Sequence, residues 1–488
     1  MSADRFPPAP ATAAPDAPLR EYAYTHARTV GSTGSFSCEP ATSLPLDEAL
    51  DALEATPEDD FLREHLLRRL GTQDARALGE LAAACLDGPR TRPALAALLL
   101  DAAPLFPQAG EALAPHVGAL ACASGSRPAA EARPDSAAWG ELFRANLAEH
   151  RTLPRLEESE LPLPHEPSAL ARAMKEVTRP DARDILAAAH QRLAAQDWPD
   201  GPRPPAEETY ARAVAALERE GLLAGPEMRH EASLSPIALL RDWHIAVTVR
   251  NGRHAHALRG TATAYGRGLS LAGARASCAM EIVERASAYA SLGPGGAYGH
   301  GEVLQRRAPL SLRRATAAEL TREGARIVIP GLPGALPPDA RLHWVRARNT
   351  VGGEALVPLQ HVLLFCNADE PRLAISPGST GLASGNTPEE ARFAALMEVI
   401  ERDADATTPF CRHACFTLQS RDPRLQGLLD DYAARGIRVQ FQDITSEFGI
   451  PAYRAFVTAR DGRVATATGA GLSGAQAALS ALTETPWP

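Results

Sequence analysis

The spacing of apolar positions changes character along this chain. Residues 1–45 are rich in Pro, Ala, Ser and Thr with little periodicity, a composition that predicts a flexible tail. From Pro45 onward Leu50, Leu53, Phe61, Leu62, Leu66, Leu67 and Leu70 recur at threes and fours, the period of amphipathic helices. Residues 46–196 therefore read as a mostly α-helical N-terminal region. Thr56-Pro57-Glu58-Asp59 reads as a capping residue followed by Pro in a first turn. Gly88-Pro89 and Ala103-Pro104 break the pattern into short helices, and further helices are expected at Ala137–His150 and Asp181–Gln196. Ser124–Pro128 and Leu153–Pro167 read as linkers or long loops.

The pattern Asp200-Gly201-Pro202-Arg203-Pro204-Pro205 marks a boundary, and a different grammar follows over residues 197–488. A helix at Glu207–Glu220 stops at Gly221. Trp243–Arg250 has strand character, and Asn251-Gly252 is a hairpin turn into a strand at His254–Ala264. His254 and His256 share one face of that strand and are expected to be partly exposed. More strands are expected at Arg326–Ile329, Leu342–Asn349, Ala355–Pro358, Arg438–Asp443 and Ala452–Thr458. The fold class is α+β: antiparallel β-hairpins packed with long helices, preceded by the helical region.

Two of those helices repeat each other. Ala274–Arg285 carries Ser277, Met280, Glu281, Glu284 and Arg285, and Ala391–Arg402 carries Met397, Glu398, Glu401 and Arg402 at matching places. Each residue advances about 100° around a helix, so each set forms one polar stripe. A single Glu-x-x-Glu-Arg is usually a solvated face with an internal ion pair. Two matched copies suggest facing helices that hold carboxylates around a divalent metal, with arginines left for anionic oxygens. A third, shorter copy delivers Glu484 eleven residues after Ser473, as Glu281 follows Ser270 and Glu398 follows Thr387. Asn386-Thr387-Pro388 opens the second helix with a capping residue, Pro, and then acids in the first turn. Gly266-Arg267-Gly268 reads as a simple turn more readily than as a phosphate-approaching loop.

Bulk properties narrow the choice. A net charge of -9 argues against nucleic acid as the main partner. No apolar run approaches the roughly 18–20 residues needed to span a bilayer. The N-terminus lacks the apolar core of a secretory signal, and seven scattered cysteines suit a reducing cytoplasm. Cys411, His413 and Cys415 lack a second ligand pair and read as packed thiols. No Gly-x4-Gly-Lys-Ser/Thr loop occurs, so a P-loop nucleotide site is excluded.

With these motifs the region from about Gly201 to Glu484 resembles the YcaO family. The resemblance is carried by Ser277-x3-Glu281-x2-Glu284-Arg285, by Thr380–Ala391 with its Asn386-Thr387-Pro388, by Glu398-x2-Glu401-Arg402, and by Ala481-Leu482-Thr483-Glu484. It implies a protein that uses ATP and Mg2+ to activate a peptide or protein backbone amide. A nucleophile adds to the amide, the oxyanion attacks the γ-phosphoryl of ATP, and loss of phosphate leaves an azoline, thioamide or amidine. Other members support methylthiolation of a ribosomal protein. The resemblance implies that Glu281, Glu284, Glu398 and Glu401 ligate magnesium and that Arg285 and Arg402 meet phosphate oxygens. Ser277, Asn386 and Glu390 would hold the nucleotide, with Glu484 beside them. Thr209 would match a family serine and Arg203 a nearby lysine.

Two departures stand out. Relatives continue the third helix as Thr-Glu-x-x-Gln, whereas Trp487 occupies the glutamine position here, after Pro486. The Pro-x-Pro-x-Pro tail of the peptide cyclodehydratases does not occur, which disfavours azoline formation. The expectation is therefore a YcaO-like domain whose C-terminal end is incomplete, in a longer protein or with an incomplete ATP site. The expected partner is a peptide or protein substrate. The helical region offers a docking face for a partner protein, and a homodimer stays open. The rival reading is a degenerate YcaO-like protein that binds a peptide or partner without turning ATP over; a purely structural scaffold would bind no magnesium-nucleotide at all.

Overall fold

The computed structural model describes residues 19–29, 32–87, 92–124, 134–154, 161, 191, 203–293, 296–298, 310–329, 339–348, 353–364, 367–373 and 378–487. Its first elements are a hairpin, β1 (Arg20–Thr29) and β2 (Ser32–Pro40), which corrects the flexible tail expected over those residues; residues 1–18 of that tail lie outside the described residues. Tyr22 and Tyr24 alternate with Glu21 and Thr25 and are buried. The backbone of β1 also pairs in parallel with a strand more than 200 residues away, from Arg20↔His256 to Tyr24↔Gly260. A partner so remote leaves no mark on local composition.

Short helices follow: α1 (Leu46–Ala55), α2 (Asp60–Leu70), α3 (Ala75–Asp87), α4 (Pro93–Leu105), α5 (Pro107–Leu113), α6 (Val117–Ser124) and α7 (Pro134–Glu149). Asp59, rather than Thr56, caps α2, its side chain accepting from the Leu62 N–H at 3.2 Å. Leu50, Leu53, Leu62, Leu66 and Leu70 are buried in one apolar core with Trp243, Ile245, Leu258 and Ile282. The helical layer and the sheet thus share a core. The helix expected at 181–196 lies outside the described residues, save for residue 191.

Helix α8 (Ala206–Arg219) is closed by Gly221 in the left-handed conformation at φ +64°. After β3 (Leu223–Arg229) come β4 (Ile237–Asn251) and β5 (His254–Gly268), paired in a single register from Ile237↔Gly268 to Asn251↔His254. Gly252 turns the hairpin at φ +58°, as Asn251-Gly252 predicts. Helix α9 (Leu271–Ala288) and the short β6 (Ser291–Gly293) and β7 (Gly296–Tyr298) complete the unit. The sheet order is β2-β1-β5-β4-β6-β7, with β3 paired to β4.

A second sheet is built from β8 (Arg313–Ala315), then, after α10 (Ala317–Arg322), β9 (Leu342–Arg348) and β10 (Glu354–Pro358). The strand expected at 326–329 is reduced to one bridge, Ile327↔Leu356. Helix α11 (Pro388–Thr407) leads to β11 (Cys415–Phe416), α12 (Pro423–Ala434), β12 (Arg438–Asp443), β13 (Ala452–Thr458), β14 (Val464–Ala470) and α13 (Gly474–Glu484). The four strands pair in the order β11-β12-β13-β14.

The internal repeat is structural as well as sequential. Ser270 caps α9, Thr387 caps α11 and Ser473 caps α13, each through its side-chain oxygen. Helix α9 lies so close to β5 that a Cβ on Gly266 would come 2.2 Å from the Ala274 carbonyl oxygen. Helix α13 meets β14 the same way, with a Cβ on Gly469 falling 2.2 Å from the Ala481 nitrogen. Gly266-Arg267-Gly268 is therefore the end of β5, not a turn.

One expectation on β5 is overturned. His254 and His256 are 1% and 2% exposed, not partly exposed. His256 sits edge-on between Tyr22 and Phe61, at ring separations of 5.6 and 5.5 Å, and His254 Nδ1 lies 3.0 Å from the Asn367 carbonyl oxygen. The hairpin and α2 cover this end of the strand, and strand alternation alone carries no sign of them.

Candidate functional site

Helices α9, α11 and α13 come together at one cavity of about 1370 Å3. Ser277, Glu281, Glu284 and Arg285 from α9 line it, with Glu398, Glu401 and Arg402 from α11, Glu484 from α13 and Arg267 from β5. The two duplicated stripes thus share one space. Each is pinned by its neighbouring sheet: the Tyr265 N–H donates to Glu281 Oε2 at 3.0 Å, and the Ala470 N–H donates to Glu401 Oε2 at 3.1 Å. The Thr468 hydroxyl adds a bond to Glu401 Oε1 at 2.7 Å.

The arginines only partly balance the acids. Arg285 lies 3.7 Å from Glu281 and 3.3 Å from Glu284, Arg402 lies 3.8 Å from Glu398, and Arg267 pairs with Glu484. Burial is the main influence on Glu281, Glu284, Glu398 and Glu401 and raises the pKa of each above its ordinary value, against the opposing arginines. Glu284 is pushed up to about 7, with Glu281 and Glu398 adding repulsion. Glu484 raises Glu281, Glu398 and Glu401 further, so its field reaches both helices. A shared negative field of this kind is relieved by a cation.

The donor set fits Mg2+ in a particular way. Among the described residues no three His, Cys, Asp or Glu side chains converge into a ready ion cage. The four carboxylates line one cavity without closing on a single point, and the Cys411, His413 and Cys415 group forms no such cage either. Magnesium keeps several waters and uses one or two carboxylates together with phosphate oxygens, so oxygen-only acids flanked by arginine suit a magnesium-phosphate ligand.

Thr209, Asn386, Glu390 and Arg203 form a second cluster at the start of α11, outside the cavity lining. Glu390 Oε2 accepts from the Asn386 backbone at 2.8 Å and from its Nδ2 at 3.0 Å; these bonds hold the Glu390 pKa below its ordinary value. The Thr209 hydroxyl donates to Asn386 Oδ1 at 3.1 Å, and Arg203 Nε lies 3.5 Å from Glu390. The structure therefore gathers these four, from α8, α11 and the segments just before them, beside the carboxylate site rather than in it.

Sequence reasoning missed several contributors. Ser384 lies in the quoted Thr380–Ala391 motif, and its hydroxyl donates to the Met280 carbonyl at 2.8 Å, tying the loop before α11 to α9. Arg267 sat in a segment read as a turn. Thr468 carried no signal, and neither did the cavity-lining Tyr24, Phe61 and His150 of the N-terminal region. Helix α13 ends as expected: Thr485 is extended at φ -66°, ψ 127° ahead of Pro486.

The fold of repeated hairpin–helix units brings its glutamates into one arginine-flanked cavity, whose donors suit an oxygen-ligated cation and an anion. Residues 265–485 match the family model described as YcaO cyclodehydratase, ATP- and Mg2+-binding, so the chain carries a YcaO domain over that span. The family's two cofactors are the two that the sequence resemblance implied.

Similar proteins include an uncharacterized protein of Methanothermobacter thermautotrophicus, 36% identical over 124 residues, which are 24% of this chain and 32% of that protein. An uncharacterized protein in the tfuA 3′ region of Rhizobium leguminosarum bv. trifolii is 29% identical over 235 residues, 45% of this chain and 53% of that protein. The chain thus spans about a third and about half of the length of these curated relatives. Among solved structures, a heterocyclase in complex with substrate and cofactor gives a TM-score of 0.43 at 20% identity, covering 58% of this chain and 40% of that one. The YcaO protein of Methanopyrus kandleri bound with AMPPCP and Mg2+ gives 0.40 at 21% identity, covering 57% and 65%. Among the described residues no helix is long and apolar enough to cross a membrane.

Proposed function

We propose that this protein is an ATP- and Mg2+-dependent enzyme that activates a peptide or protein backbone amide by phosphorylation of its oxygen, to form an azoline or thioamide or to support methylthiolation of a ribosomal protein. The observation that carries the reading is the shared cavity of Glu281, Glu284, Glu398 and Glu401 with Arg285 and Arg402. Bound there, Mg2+ and ATP would supply charge neutralisation and the transferable phosphoryl group. The glutamates would hold the metal, and the arginines would meet phosphate oxygens as charge develops. Ser277 at the cavity, and Asn386, Glu390, Thr209 and Arg203 beside it, would orient the nucleotide. The substrate or an added sulfide would supply the nucleophile, so no protein nucleophile is required.

The second reading is a YcaO-like protein that binds a peptide or partner without turning ATP over. It is favoured by one feature, the engagement of Glu484 with Arg267. Calorimetric titration with a magnesium-bound ATP analogue tests the main reading. Binding is expected in the wild type, with a loss of about ten-fold or more in Glu281→Ala and in Glu398→Ala, the weight of a charged contact. Unchanged affinity in both variants would remove the carboxylates from the site. Binding without release of phosphate in the presence of substrate would favour the second reading.

A further inference from the structure

The cavity has an end that the carboxylate site does not use. Glu390, Glu398, Glu401 and Asp405 follow one another along one face of α11, and Asp405 lies about 6 Å beyond Glu401 at about 1.5 Å per residue. On the reading above, Glu390 would help orient the nucleotide, while Glu398 and Glu401 would hold the metal that meets its phosphates. The group that receives the phosphoryl would then lie toward Asp405. At that end the cavity is lined by Asp405, Phe410, Arg454 and Thr466, with His150 entering from the end of α7.

Arg454 is 5% exposed. Its Nε donates to Asp405 Oδ1, and its Nη2 to the carbonyls of Asp405 and Thr408, all at 2.9 Å. Nη1 is buried and has no hydrogen-bond partner among the described residues. A buried guanidinium N–H left unmade is costly, so it calls for an acceptor. Asp405, 2.8 Å away, already neutralises the guanidinium and would repel a second carboxylate. A neutral carbonyl oxygen suits the remaining donor.

His150 completes the pocket. Among the described residues it is the one non-glycine residue with positive φ, at +54°. Asn146 fixes this approach: its side chain accepts from the Phe410 N–H at 2.8 Å, donates to the Phe410 carbonyl at 3.0 Å and donates to the Arg151 carbonyl at 2.7 Å. The imidazole rests on Phe410 and Phe456 at ring separations of 5.1 and 5.0 Å. Burial and the Arg454 charge hold its pKa below the ordinary value, which favours the neutral ring.

We infer that Arg454 and His150 form the pocket for the substrate's backbone amide, with Arg454 Nη1 donating to the carbonyl oxygen and the His150–Phe410 wall packing the flanking chain. Both are positioning residues, and His150 makes the N-terminal helical region part of the substrate site. The inference rests on the ATP-dependent reading for its direction along α11.

The test uses the full chain saturated with Mg2+ and AMPPCP, titrated with N-acetylglycine N-methylamide and followed by saturation-transfer NMR. Saturable binding is expected in the wild type. Arg454→Met should raise the dissociation constant about ten-fold or more, the effect of losing one hydrogen bond from a charged donor. His150→Asn, which tolerates a left-handed backbone, should weaken binding too, and it carries the test should Arg454→Met fail to fold. Calorimetric affinity for magnesium-AMPPCP should stay unchanged in both. No amide binding in the wild type, or equal binding in the folded variants, would overturn the inference. A parallel fall in AMPPCP affinity would overturn it too, by making this the nucleoside's pocket. A wild type that binds no AMPPCP sinks the ATP reading instead; the amide titration without nucleotide then judges the pocket by the same comparison.

Discussion

Arg267, at the end of β5, is ion-paired with Glu484, the last residue of α13, across 217 positions of sequence. The pair joins the first hairpin–helix unit to the last at the cavity edge. It also holds the carboxylate whose field reaches Glu281, Glu398 and Glu401.

Arg267→Met removes that counter-charge and leaves Glu484 facing other acids. Glu484 is half exposed, so screening keeps the effect modest. Stability of the magnesium-free protein should fall by about 1 kcal/mol. Added Mg2+ should restore part of the loss. Thermal melts with and without the ion check this; a variant indistinguishable from wild type in both conditions would deny the pair any weight.

Glu284, with its pKa pushed up to about 7, is about half protonated at neutral pH in the metal-free site. A cation favours the ionised form, so binding releases a proton, and affinity for a magnesium-nucleotide should rise as pH increases through 7. Calorimetry at pH 7 in two buffers of different ionisation enthalpy reads the released proton directly. In Glu284→Gln the release should fall sharply. Equal release in both proteins would assign the proton elsewhere.

Gly266 and Gly469 are the close-approach points of α9 on β5 and of α13 on β14. In each case an added Cβ would meet backbone at 2.2 Å, and backbone cannot swing aside as a side chain can. Gly266→Ala should cost about 1–3 kcal/mol and shift α9 outward. Because that helix carries Glu281 and Glu284, nucleotide affinity should fall with stability. Gly79, with nothing within 4 Å of its Cβ position, provides the control. Urea unfolding of Gly266→Ala and Gly79→Ala, each followed by nucleotide titration, separates the two.

His256 makes acid stability predictable. Burial lowers its pKa from 6.5 to about 4, with His254 and Arg20 acting in the same sense and Asp59 opposing. The unfolded chain therefore takes up this proton before the folded one as pH falls. Its contribution is complete above pH 6.5 and is lost between 6.5 and 4, to a total of about 3 kcal/mol. Asp60, raised to about 6, and Glu284, raised to about 7, titrate in the same window with the opposite sign. The difference between wild type and His256→Phe isolates the histidine. Urea midpoints that fall in parallel from pH 7 to pH 4 in both proteins would refute it.

Much of the site was legible because it is written in local patterns. Glu281 and Glu284 fall on one face of a helix by spacing alone, and Ser270, Thr387 and Ser473 announce their helices as capping residues do. Repetition of one stripe on two helices pointed to facing helices, which the shared cavity bears out, and Asn251-Gly252 announced its hairpin. Such features depend on bonds within a few residues, so a single segment suffices to predict them.

What only the tertiary structure decided depends on partners far apart in the chain. The β1–β2 hairpin exists because β5 offers it an edge, and His256 is buried because Tyr22 and Phe61 close over it. Arg267 became a counter-ion to Glu484, Thr209 reached Asn386, and His150 joined a cavity whose acids lie more than a hundred residues later. Spacing along the chain sets which face of an element a side chain occupies. Which other face covers it is set by long-range packing, and no local pattern records that choice.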